Sequence, residues 1–154
     1  MVTMRRCWLL EFWNLEDSYL YNVREITAQR WDRMYKRILI ATDGSEKSKA
    51  AAKEGMELAK ALGAQVIALN VVNEVVIASA VRQLGSERKD VEARLKAAGE
   101  KAVEELKSMG ASAGINIDTV VRIGAPATAI IDTAGAEKAD LIVECIFQRR
   151  LHTL

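Results

Sequence analysis

The chain is poor in the residues that announce chemistry: one histidine, two cysteines and one proline in 154 residues. Cys7 and Cys145 stand at opposite ends, so they make no disulfide framework and read as reduced thiols. The histidine, His152, lies in the C-terminal tail and is a weak general base candidate. Net charge is nearly absent as well, with 22 Lys+Arg against 21 Asp+Glu, which argues against a partner bound by neutralising many phosphates. No run approaches the roughly 18 apolar residues of a membrane span. No secretory leader is expected either, because the apolar stretch after Arg5 and Arg6 is cut by Glu11, Glu16 and Asp17. The expectation is a cytoplasmic protein that contacts neither nucleic acid nor membrane.

Aromatic residues are also missing from most of the chain. Trp8, Phe12, Trp13, Tyr19, Tyr21, Trp31 and Tyr35 crowd the start, and only Phe147 follows. The long middle stretch must build its core from Val, Ile, Leu, Ala and Met, the material of helices packed on a parallel sheet. Composition therefore divides the chain into an N-terminal extension (1–34), an α/β domain (35–144) and a divergent tail (145–154). In the extension, Trp8, Phe12, Leu15, Tyr19, Val23 and Ile26 recur at helical spacing and suit a sheet edge or a partner.

What is present in the middle is an alternation of periods. Residues 37–42 form a short apolar run that stops at Asp43-Gly44, a strand followed by a turn. Ser45 stands where an N-cap belongs, and Ala51, Leu58, Ala59 and Leu62 predict a helix over 46–62 closed by Gly63. Residues 66–72 are continuously apolar, as a strand covered on both faces requires. Residues 75–86 show no clear period. From Glu87 a stripe of Val91, Leu95, Ala98, Ala102, Leu106 and Met109 predicts a long helix ending at Gly110. Asp90 with Arg94, Glu92 with Lys96 and Lys101 with Glu105 stand at four-residue spacing on its outer side. A third strand over 115–123, a helix over 127–134 entered through Pro126, and a fourth strand over 140–144 complete the pattern. Such an order predicts a doubly wound parallel sheet of Rossmann-like type, with ligands at the carboxyl ends of the strands. Those ends are Thr42 to Ser45, Val71 to Glu74, Gly124, and Glu144 with Cys145.

The stretches Met34-Tyr-Lys-Arg-Ile-Leu-Ile-Ala-Thr-Asp-Gly-Ser45, Ala68-Leu-Asn-Val-Val72, Val121-Arg-Ile-Gly-Ala-Pro126 and Ala139-Asp-Leu-Ile-Val143 resemble, in this order, the universal stress protein (UspA-like) family. The resemblance implies an adenine nucleotide alpha hydrolase-like fold, a regulatory role in stress response without turnover beyond a weak ATPase, and a homo-oligomer or protein partner. It also implies ATP or AMP as ligand, Mg²⁺ accompanying ATP. Asp43 matches the aspartate that contacts the adenosine, and Val71 the valine that lines the base pocket. The family's phosphate loop after the fourth strand reads Gly, two residues, Gly, nine residues, then Gly with Ser or Thr. Here no glycine follows Gly135, and Glu144-Cys-Ile-Phe-Gln-Arg-Arg150 stands in its place. Phosphate-cradling turns use close backbone N–H groups and positive φ, which side chains obstruct. The expected site is therefore partial: Thr42, Asp43, Val71 and Gly124.

The family's fourth helix and fifth strand are likewise not legible after residue 144. A frameshift or early stop near Cys145, and a start codon upstream of Met34, are the simplest accounts of the two ends. Without the fifth strand, the fourth would be left as an open sheet edge. Three readings from other classes stay open. An oligomerisation or partner-binding module needs no ligand. An ATP pyrophosphatase would need paired glycines in the turn that here reads Asp43-Gly-Ser-Glu-Lys-Ser48, and a phospho-receiver would need further acidic residues beside Asp43.

Overall fold

The computed structural model describes residues 35–145. The expected helix through Trp8 to Ile26 and the tail with Arg149, Arg150 and His152 lie outside the described residues. The elements run β1 (Arg37–Ala41), α1 (Glu46–Leu62), β2 (Gln65–Asn73), α2 (Glu74–Leu84), α3 (Arg88–Ser112), β3 (Ile117–Gly124), α4 (Pro126–Ala136) and β4 (Leu141–Glu144). The four strands form one parallel sheet in the order β3-β2-β1-β4. The chain thus steps outward from β1 to β3 and then returns to pair β4 on the far side of β1, leaving a switch point between β1 and β4.

The alternation of side chains along β1 divides the core into two layers. Ile38 and Ile40 join Val66, Ala68 and Ile117 against Ala52, Met56 and Ala59 of α1 and Val103 and Leu106 of α3. Leu39 points to the opposite face with Ile67 and Leu69, where Ile130 and Ala134 of α4 cover it. A smaller cluster of Val72, Ile77 and Val91 ties α2 to the top of β2. At the lower end, the Asp140 carboxylate accepts hydrogen bonds from the backbone N–H groups of Lys36 (2.8 Å) and Arg37 (3.0 Å) and holds the start of β4 against β1.

The local signals behave as their chemistry dictates. Ser45 Oγ accepts from Ser48 N at the start of α1, and Gly63 closes that helix in the left-handed conformation. Pro126 occupies the first turn of α4. Four expectations need correction. The stretch after Asn73 that showed no clear period is helix α2: Ile77 is buried with Ala80 and Val81 packed beside it, and the exposed apolar Val75, Val76 and Leu84 blur that stripe in the sequence. In α1 the expected Ala59 is buried and Leu58 and Leu62 pack half-buried on the same core, but the buried side also takes in Ser48, Ala52, Gly55 and Met56 in place of Ala51, because α1 also packs on β4. Gly110 does not end α3, which continues to Ser112. The predicted ion pairs along α3 are replaced by Arg88 with Glu92 and Lys96 with Glu100, while Glu105 turns to Lys49 of α1.

Gly110 is small because β3 needs the room: a Cβ there would stand 2.7 Å from Ile117 Cγ1 and 3.2 Å from the Ile115 carbonyl oxygen. Gly135 of α4 faces open space. Gly110→Ala is therefore expected to lower stability by about 1–2 kcal/mol despite better helix propensity. Gly135→Ala should raise it by about 0.5–1 kcal/mol. Urea unfolding of both variants checks the opposite signs.

Candidate functional site

The carboxyl ends of β1, β2 and β4 open into a cleft of about 700 Å³, within the range that holds small molecules. Its floor is Thr42, Leu69, Asn70 and Val71, its walls come from α3 and α4, and Glu144 and Cys145 complete the rim.

The turn after β1 is fixed by its own side chains. Thr42 is buried, and its N–H donates to the Leu69 carbonyl at 2.8 Å, prolonging the sheet by one residue. Thr42 Oγ1 lies 3.0 Å from Ser48 Oγ and accepts from Gly44 N at 3.1 Å. Ser48 Oγ gives its proton to the Ser45 carbonyl at 2.8 Å, so the Thr42 hydroxyl is the donor in the Thr42–Ser48 pair. Gly44 adopts φ +79°, and a Cβ there would meet Ala102 Cβ at 3.3 Å, so both backbone and space favour glycine. The exposed Asp43 carboxylate accepts from Ser45 N at 2.9 Å.

That hydrogen bonding has an electrostatic consequence. The Ser45 side chain beside it is the largest cause holding the Asp43 carboxyl below its ordinary value; the Ser45 N–H acts in the same direction and partial burial opposes them. Asp43 is thus a committed carboxylate, suited to accept hydrogen bonds from a ligand.

Of the residues singled out in the sequence, Thr42, Asp43 and Val71 come together in the cleft. Gly124 does not line it. It pairs with Asn73 at the end of β3, and the cleft wall is supplied by Pro126 and Ile130 beyond it. The Thr42 side chain is engaged within the turn, so it holds Asp43 in place as well as lining the floor.

Sequence reasoning missed Asn70. Its side chain is buried in an apolar strand, and its Nδ2 donates to the Thr42 carbonyl at 2.8 Å, tying β2 to the critical turn. The signal was there: an amide inside the run 66–72 needs a partner. Gly99 of α3 makes room for it, since a Cβ at Gly99 would stand 3.0 Å from Asn70 Cγ. Also missed was a pair at the cleft wall. Lys49 Nζ lies 2.9 Å from Glu105 Oε2 and 3.1 Å from Glu46 Oε1. The Glu105 hydrogen bond, then that of Glu46, raises the Lys49 pKa, and Lys49 in turn lowers that of Glu105.

A sequence model of the universal stress protein family matches residues 34–145. The chain belongs to this family. It is 33% identical over 123 residues to the universal stress protein MJ0531 of Methanocaldococcus jannaschii, covering 80% of this chain and 71% of the relative. The solved structure of the hypothetical protein MJ0577 is similar at 27% identity and a TM-score of 0.61, covering 72% of this chain and 74% of that one. A universal stress protein solved in complex with cAMP shares the fold at 23% identity and a TM-score of 0.50, covering 71% and 70%. These likenesses bear out the α/β parallel architecture and the family resemblance carried by the four strand motifs.

Two measurements test this geometry. Ser45→Ala removes the N-cap of α1 and is expected to cost about 1 kcal/mol in urea unfolding. Because the folded-state pKa of Asp43 is depressed, its contribution to stability is full above the unfolded-state pKa and is lost as pH falls through the lower folded value. The stability difference between the wild type and Asp43→Asn should accordingly shrink between about pH 5 and pH 2, and stay constant from about pH 6 to 8.

Proposed function

We propose that this universal stress protein domain is a cytoplasmic regulatory module whose cleft receives an adenine nucleoside or nucleotide, without turning it over. What carries this reading is one juxtaposition: a depressed-pKa carboxylate, Asp43, at the end of β1 and an apolar wall from Val71, Pro126 and Ile130, beside the sheet's switch point. The carboxylate is an acceptor for ribose hydroxyls or an exocyclic amine, and the wall suits a planar base. A carboxylate held below its ordinary range is a poor general base near neutrality, which supports binding over catalysis. Thr42 and Asn70 position the turn, and the candidate ligands are AMP, or ATP with Mg²⁺.

A second reading, an oligomerisation or partner-binding module that needs no nucleotide, is favoured by the apolar surface of α2, where Val75 is 71% and Leu84 65% exposed. Calorimetric titration of the full chain with AMP and with ATP and Mg²⁺ separates the two. The nucleotide reading expects saturable binding that Asp43→Ala weakens at least about tenfold, equivalent to about 1.4 kcal/mol. Free ligand at a hundred times its dissociation constant should also raise stability by about 2.7 kcal/mol. No binding at millimolar concentrations, with the protein folded, would leave the partner-binding module.

A further inference from the structure

The polar groups of the cleft are matched to a ligand of low charge. Lining it are three carboxylates, Asp43, Glu105 and Glu144, against two ammonium groups, Lys49 and Lys101. Lys49 is engaged by two carboxylates at once, Glu105 at 2.9 Å and Glu46 at 3.1 Å. Lys101 also lies within the field of Glu105. An incoming phosphate must therefore compete with carboxylates already in place, and meets Glu144 at the rim.

Three backbone donors of the turn are spent in the same way. A helix start after a strand is a ready anion site only when its N–H groups point at the ligand. Here Gly44 N donates to Thr42 Oγ1, Ser45 N to Asp43 Oδ1 and Ser48 N to Ser45 Oγ. Pro126, which brings the start of α4 to the cleft, has no N–H to offer.

Resting on the nucleotide reading above, we propose that the cleft selects adenine nucleosides carrying no more than one phosphate and discriminates against triphosphates. The charge that a phosphate chain brings is opposed by Glu105 and Glu144, whereas the nucleoside end finds the Asp43 acceptor and the apolar wall. The preference is electrostatic, so it weakens as salt screens the cleft.

The test is a parallel titration of the full 154-residue chain with adenosine, AMP, and ATP with and without Mg²⁺, at low and high ionic strength. Adenosine and AMP are expected to bind at least about tenfold more tightly than ATP at low salt, the ratio narrowing in about 1 M salt as the screening length falls. In Glu105→Gln, which leaves Lys49 paired with Glu46 alone, and in Glu144→Gln the ATP-to-adenosine affinity ratio should rise about threefold. ATP binding as tightly as adenosine or more so, or a ratio unmoved in both variants, overturns the selectivity while the nucleotide reading stands. If none of the three binds at millimolar concentration to the folded chain, both fall together.

Discussion

The cleft depends on where β1 stops. This five-residue strand pairs with β2 on one side and β4 on the other. Ile38, Leu39 and Ile40 are almost wholly buried between the two helix layers. Such a strand cannot slip by one residue without exchanging its faces, so the hydrophobic contacts fix its register. With β1 fixed, the chain beyond Ala41 must leave the sheet at one level, and Asp43 emerges there.

A small polar network converts that exit into a defined turn. Thr42 receives the Asn70 amide on its carbonyl and shares its hydroxyl with Ser48, while Gly44 turns beneath Ala102. Buried polar groups are tolerated because each has a partner; among the described residues no buried side-chain polar atom lacks one. A satisfied network of this kind specifies geometry more than it adds stability. It holds a carboxylate whose own ligands are already neighbours of the same turn.

Charge then distinguishes the two ends of the cleft. At the Val71, Pro126 and Ile130 wall, the surfaces are apolar, whereas Lys49 and Glu105 form a bridge between α1 and α3 at the opposite wall. An exposed bridge of this type contributes little to stability and is screened by salt. Its larger effect is on what the cleft can accept, since a lysine that is already paired is less available to an anion.

The sequence by itself determined the α/β class, the four parallel strands, the Ser45 cap, the Pro126 helix start and the placing of Asp43 and Val71 at strand ends. These are local: a run of apolar residues, a capping hydroxyl or a proline acts through its neighbours in the chain. Helix α2 was illegible because exposed Val75, Val76 and Leu84 blur the packed stripe of Ile77, Ala80 and Val81, and Gly124 stands at its strand end but outside the cleft lining because the strand end could be read and the direction of the chain after it could not. Only the tertiary structure decided that Asn70 reaches the Thr42 carbonyl, that Gly99 clears space for it, and that Glu105 pairs with Lys49 across two helices instead of with Lys101 along one. Contacts between residues 28 or 56 apart are set by how the helices lie on the sheet, and no local period encodes that packing.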